Sequence, residues 1–122
     1  MDTGSDRAQS EGMLHLSMIL FAGRGRGWTA AAALHGLAVQ ARNASGCLRA
    51  YVAIDFEDPD TLHYMEEWGD EPLFRAQIRS ERFYRLLALM QTAAVPPYFD
   101  VRLVAKSAGV DYISAALDDE QR

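Results

Sequence analysis

The stretch Y-M-E-E-W-G-D-E-P-L-F-R-A-Q-I-R-S-E-R-F, residues 64–83, joins a strand to a helix and decides how the chain folds. Its first residues continue an alternating pattern that predicts a strand at residues 61–68. Asp70 can cap the helix that follows, because the next two residues are an acid and a proline, which suit the first turn of a helix. The helix is predicted to run to about Ala94, with a possible interruption at Ser80.

Working outward from this stretch, three further strands and one further helix can be placed. Short apolar or alternating runs predict strands at residues 13–22, 47–56 and 98–105. An alanine-rich segment predicts a helix at residues 28–43, which Thr29 can cap. The order strand, helix, strand, strand, helix, strand is the split βαβ of the ferredoxin-like fold. We therefore predict an α+β domain, with a four-stranded antiparallel sheet and two helices on one face.

The domain limits follow from the flanking composition. Residues 1–12 are small and polar and predict a disordered tail. The folded domain is expected to span residues 13–106, and residues 107–122 form a C-terminal extension that can make one more strand or helical turn. The glycine- and arginine-rich loop at residues 23–27 is interpreted as a mobile loop that can act as a lid.

Composition narrows the class of protein. The chain has 122 residues, a formal net charge of -5 and a pI of about 5.1. Binding to a phosphate backbone needs clustered basic side chains, so we expect no nucleic-acid partner. The apolar runs are far shorter than the roughly 20 residues of a membrane helix, so we expect no membrane association. A single cysteine, Cys47, suits a reducing compartment, and we expect a cytoplasmic protein.

One face of the predicted sheet has no helix to cover it. Its strand positions are not uniformly polar, and exposed apolar surface of that kind usually marks an interface. A second copy of the same sheet is the simplest cover. We therefore predict a homodimer with the two sheets packed face to face.

Two short motifs resemble the antibiotic biosynthesis monooxygenase (ABM) domain. The first is S-G-C-L at residues 45–48, which looks like the opening of the second strand in that family. The second is a set of positions around the strand–helix junction: Glu66, Trp68, Asp70, Leu73, Phe74, Ser80 and Phe83. The resemblance implies a dimeric α+β barrel. It also implies oxidation of a quinol-like or anthrone-like aromatic by molecular oxygen, without flavin, haem or metal.

The chain departs from the family pattern at three helix positions. Gln77 stands where the family often has His, and Arg82 replaces another frequent His. Leu87 stands where the haem-degrading relatives carry a His ligand, so we expect no haem. Gln77 can orient a ligand by hydrogen bonds, but an amide does not take up a proton at neutral pH.

The candidate site follows from the resemblance and from the strand faces. Two residues are candidates for handling a proton: Glu66 and His15. Six are candidates for binding a small aromatic substrate: Trp68, Tyr64, Gln77, Phe74, Phe83 and Tyr51. A structural alternative is that Glu66 pairs with an arginine of the following helix, such as Arg75 or Arg79. No metal site is expected, because the three histidines lie on separate elements without ligand spacing.

Three functions are compatible with these residues. The first is a cofactor-free monooxygenase of the ABM type. The second is a binding module that uses the same barrel to hold a small aromatic or another protein, and the missing helix histidine favours it. The third is a lyase or isomerase, which would need a good general base in the pocket.

Overall fold

The computed structural model of the protein describes residues 13–120, so the predicted tail at residues 1–12 lies outside the described residues. Four strands and four helices fill the described part of the chain. In chain order they are β1 (Met13–Phe21), α1 (Gly27–Arg42), β2 (Cys47–Ile54), β3 (Thr61–Trp68), α2 (Glu71–Ile78), α3 (Glu81–Met90), β4 (Tyr98–Val104) and α4 (Val110–Glu120).

The strands form one antiparallel sheet in the order β2-β3-β1-β4. The two central strands are therefore β1 and β3, and Leu16 of β1 lies opposite both Glu66 of β3 and Val101 of β4. This order is the one that a split βαβ produces. The predicted ferredoxin-like fold is confirmed.

The hydrophobic core lies between the sheet and the helices. Alternate residues of β1 and β3 point to this side and are fully buried, Leu16, Leu20 and Leu62 among them. They pack in one cluster with Leu34 of α1 and Leu86 of α3. Burying a side chain of this size stabilises a fold by about 1.5–3 kcal/mol. The opposite face of the sheet is not covered by any described part of the chain.

The predicted long helix is broken into α2 and α3 at Ser80. The Ser80 hydroxyl accepts a hydrogen bond from the Phe83 backbone N–H at 3.2 Å and donates one to the Gln77 carbonyl at 2.7 Å. It therefore ends one helix and caps the next. Asp70 caps α2 in the same way, since its carboxylate accepts from the Leu73 N–H at 2.8 Å. The extended backbone of Ser80 separates the two helices.

The start of α1 differs from the expectation that Thr29 caps it. The side chain of its N-cap residue, Arg26, makes no capping hydrogen bond. Instead the Asp60 carboxylate, from the β2–β3 turn, accepts hydrogen bonds from the backbone N–H groups of Gly25 and Gly27, both at 2.9 Å. A Cβ on Gly27 would lie 1.9 Å from the Pro59 carbonyl oxygen, so only glycine fits there. The loop interpreted as a mobile lid is thus anchored to a neighbouring turn.

The Asp60 anchor predicts a pH-dependent contribution to stability. Hydrogen bonds from Gly25 and Gly27 hold the pKa of Asp60 below its ordinary value of 3.8. A depressed carboxyl pKa stabilises the fold at pH above the ordinary value, and the benefit is lost as pH falls through the lowered value. Asp60→Asn should therefore lower the thermal midpoint at pH 7, and the difference from wild type should shrink in acid. An equal difference at pH 7 and pH 3 would contradict this role.

Two apolar residues of the predicted second strand lie outside the core. A bulge between Cys47 and Arg49 shifts the register of β2, and Leu48 is more than half exposed. The strand ends at Ile54, so Phe56 falls in the turn beyond it and is fully exposed. Strict alternation over residues 47–56 would put both side chains on the same face as Ala50, and the bulge and the earlier end of the strand prevent this.

The C-terminal extension forms a regular helix, α4. Its apolar side chains Val110, Ile113 and Leu117 are all more than half exposed. No helix in residues 13–120 has the length and apolar character needed to cross a bilayer.

Candidate functional site

A cavity of about 590 Å³ opens between the outer strand β4 and the helices α2 and α3. Most of its lining is aromatic or aliphatic, and three charged residues stand among these. The lining residues are Leu14, Glu71, Phe74, Arg75, Ile78, Arg79, Phe83, Leu87, Phe99, Val101 and Leu103. Ligand sites in proteins are usually concave and largely apolar, with a few polar groups. The cavity is the best candidate for one in this chain.

The cavity exists because the helices do not extend over β4. Phe99, Val101 and Leu103 of β4 lie opposite the buried residues Met18, Leu16 and Leu14 of β1, on the same side of the sheet. They nevertheless remain 37%, 45% and 62% exposed. The side of β4 that continues the core is therefore the floor of an open apolar groove.

Two phenylalanines of the predicted site form the helix side of the cavity. The rings of Phe74 and Phe83 meet edge to face, with centroids 6.1 Å apart. The indole of Trp68 packs behind Phe74 at 5.8 Å and is fully buried. Trp68 therefore supports the cavity wall and does not line it.

The carboxylate of Glu66 lies at the centre of a buried hydrogen-bond network. It accepts from the Tyr64 hydroxyl at 2.6 Å and from the Trp68 indole N–H at 2.9 Å. The Arg82 guanidinium donates to it from Nη1 at 2.6 Å, and this ion pair is almost entirely shielded from solvent. All three donors belong to side chains that are buried or nearly so.

The same network ties the sheet to both helices. Arg82, at the start of α3, donates from Nε to the Gln77 side-chain oxygen on α2 at 3.1 Å. Its guanidinium also lies 6.0 Å from the centre of the Phe83 ring. Within the described residues, no buried side-chain nitrogen or oxygen is left without a hydrogen-bond partner. The network thus fixes the aromatic wall from behind.

Two pKa shifts follow from this burial. Burial, with a further contribution from the negative charge of Glu66, raises the pKa of Tyr64 far above its usual range. Tyr64 therefore remains a hydrogen-bond donor at any physiological pH. Burial also raises the pKa of the Cys47 thiol, which disfavours the nucleophilic thiolate form.

The structure does not bring His15 and Tyr51 to the other predicted site residues. Both side chains lie on the open face of the sheet, away from the helices. The His15 imidazole is 3.9 Å from the carboxylate of Glu67, and the Tyr51 ring lies under the Arg49 guanidinium at 5.6 Å. The sheet separates them from Glu66 and from the cavity.

Glu66 does pair with an arginine of the helical segment that follows it, but not with either of the two that the structural alternative named. Arg82 is only 7% exposed, and it is the partner of Glu66 in place of Arg75 or Arg79. Sequence reasoning also missed the inner side of β4. The alternation of Y-F-D-V-R-L-V at residues 98–104 does carry the signal, since Phe99, Val101 and Leu103 share one side.

No group of three or more His, Cys, Asp or Glu side chains suited to a metal ion forms among the residues that the structure describes. His63 instead pairs with Asp55 at 3.1 Å, next to the β2–β3 turn.

Several solved structures share the fold of this chain. A structure named antibiotic biosynthesis monooxygenase aligns with 79% of this chain and 99% of its own, at 18% identity and a TM-score of 0.65. A Deinococcus radiodurans protein named for the same family covers 79% and 96%, at 13% identity and a TM-score of 0.70. A conserved protein from Methanosarcina mazei covers 79% and 96%, at 20% identity and 0.68. The chain therefore has the fold of the ABM proteins.

No protein-family model and no curated protein matches the chain. At identities of 20% or less, the structural comparisons establish the fold and nothing finer.

Proposed function

We propose that the protein is a cofactor-independent monooxygenase that oxidises a quinol-like or anthrone-like aromatic with molecular oxygen. The observation that carries the proposal is the cavity between β4 and the two helices, which has an aromatic wall and lies in a chain with the ABM fold. Its volume of about 590 Å³ suits a ligand of two to three fused rings.

The chemistry needs little from the protein. An electron-rich aromatic anion gives electrons to oxygen, one oxygen atom is inserted into the substrate, and the other leaves as water. The protein has to bind the ring, favour its anionic form and exclude water. Phe74 and Phe83 supply flat apolar contact, and Arg75 and Arg79 place positive charge where a phenolate would be stabilised.

The predicted site residues divide into two roles in this proposal. Phe74 and Phe83 contact the substrate. Trp68, Tyr64 and Gln77 act behind them, through the network that holds Arg82 and the wall. Glu66 accepts from three donors and is fully buried, so we assign it an anchoring role. Glu71 is the carboxylate that lines the cavity, and it is the better placed acceptor for a substrate proton.

Oxygen consumption by the purified protein tests the proposal. With a panel of hydroquinones and anthrones and no added cofactor, we expect uptake above the rate of autoxidation. Uptake equal to the autoxidation rate, combined with saturable binding of the same compounds, would favour the alternative of a binding module. The imidazole-free lining of the cavity supports that alternative, because it offers no histidine as a general base.

We also propose a homodimer in the cytoplasm, formed by the open faces of two sheets. On this face Ile19, Tyr51 and Met65 are partly exposed in the single chain. Packing two sheets face to face would remove these apolar side chains from water. Exposed apolar patches commonly mark protein–protein interfaces.

Met65→Asp tests the interface. Met65 lies on the open face opposite Ser17 and Tyr51, near the middle of the sheet. We expect a dimer for wild type and a folded monomer for the variant at micromolar concentration, measured by analytical ultracentrifugation, because a carboxylate would be buried unpaired. Val39→Asp, on the outer side of α1, should remain dimeric. A monomeric wild type would refute the proposed dimer.

A further inference from the structure

The rim of the cavity is positively charged, although the chain as a whole is acidic. Its charged lining residues are Glu71, Arg75 and Arg79, two cations and one anion. The whole chain carries a formal net charge of -5. The electrostatic potential is therefore positive at the cavity although the chain as a whole is acidic, and a positive potential favours an anionic ligand.

Arg79 differs from the other arginines of α2 and α3. Arg75, Arg82 and Arg85 each pair with a carboxylate, at 3.4, 2.6 and 3.1 Å respectively. Arg79 makes no ion pair and no side-chain hydrogen bond with the described part of the chain. It follows the last residue of α2, beside the apolar groove. A guanidinium in this position is free to bind a carboxylate through two parallel hydrogen bonds.

We propose that the cavity takes a flat apolar ligand that carries a separate acidic group, and that Arg79 binds this group while the rings lie against Phe74 and Phe83. The inference rests on the proposed function, since it concerns the same cavity. It narrows the substrate from electron-rich aromatics in general to those with a permanent negative charge at one end, such as a carboxylated polycyclic phenol.

Two fluorescent probes that differ mainly by one sulfonate test the proposal without any turnover. They are the anion 8-anilinonaphthalene-1-sulfonate and neutral N-phenyl-1-naphthylamine. We expect Arg79→Gln to weaken binding of the sulfonate about five- to tenfold, and to leave binding of the neutral probe unchanged. The preference of wild type for the sulfonate should also fall as salt is raised.

Two variants show which site the probes occupy. Val101→Trp should fill the cavity from the β4 side and abolish binding of both probes. Arg85→Gln removes a charge from a second groove, between α1 and α3. It should leave the affinities unchanged, and a thermal melt confirms that each variant is folded.

The proposal is overturned if wild type does not bind the sulfonate, or if wild type and Arg79→Gln bind it equally. It is also overturned if Arg85→Gln, and not Arg79→Gln, weakens binding. Because the assay needs no oxygen, a preference for the anion can be established even when no compound is oxidised. Likewise, oxidation of neutral quinols without an anion preference would leave the proposed function intact and refute this inference alone.

Discussion

Arg82→Met is expected to destabilise the protein by about 3–5 kcal/mol, one of the two largest effects that we predict. The substitution keeps much of the side-chain volume but removes the positive charge that faces Glu66 at 2.6 Å. Glu66 has no exposed surface, so its carboxylate would be left in the interior without its counter-charge. Denaturant unfolding, followed by far-UV circular dichroism, measures the change in the free energy of unfolding.

A matched control and a double variant separate the charge from the packing. Arg85→Met makes the same change on the same helix, but its ion pair with Glu81 is solvent-exposed, so we expect an effect below about 1 kcal/mol. Adding Glu66→Gln to Arg82→Met removes the unpaired charge and should restore part of the lost stability. Equal effects of the two arginine variants would show that the buried pair does not hold the fold together.

Trp68→Ala is the second large effect, with an expected loss of about 3–5 kcal/mol. The indole is fully buried, packs on Phe74 and donates to Glu66 at 2.9 Å. Removing it opens a void at the end of β3 and takes away the support of the aromatic wall. The free energy of unfolding from urea titration gives the size of the loss.

Trp68→Phe provides the comparison for this prediction. The phenyl ring keeps apolar contact with Phe74, so the expected loss is smaller than for Trp68→Ala. Both variants lose the hydrogen bond to Glu66, which costs about 1–3 kcal/mol when a buried group is left without its partner. A Trp68→Ala variant as stable as wild type would mean that the indole is not part of the core.

The strand and helix pattern could be predicted because each element carries its own period. The alternation in β1 and β3 places every second side chain in the core. Asp70 caps a helix as predicted, and the possible interruption at Ser80 is a complete break at which Ser80 caps the next helix. These signals are local, so they survive without knowledge of the fold. The order of the elements then predicts the split βαβ topology, and the resemblance to the ABM domain agrees with it.

The partner of Glu66 could not be predicted, because it depends on geometry beyond one element. Helical spacing places Arg75, Arg79 and Arg82 on related faces of one long helix. In the structure the helix breaks at Ser80, and Arg82 in the next helix is buried against Glu66. Gln77 then bonds to Arg82 and is not free to contact a ligand through the same oxygen.

The cavity could not be predicted for a related reason. Its floor is an ordinary alternating strand, and nothing in the residues of β4 shows that α2 and α3 stop short of it. His15 is predicted as a site residue because its strand borders the core. Its own side chain lies on the open face of the sheet, beside Glu67.

The measurement that tests the central claim most directly is oxygen consumption by a variant with a blocked cavity. With the most active hydroquinone or anthrone, Val101→Trp should reduce uptake to the autoxidation background, because the indole would occupy the substrate position beside Phe83. Val39→Trp, the same change on the exposed side of α1, should keep the wild-type rate. Equal rates for the two variants would place the reaction elsewhere and contradict the assignment of this cavity.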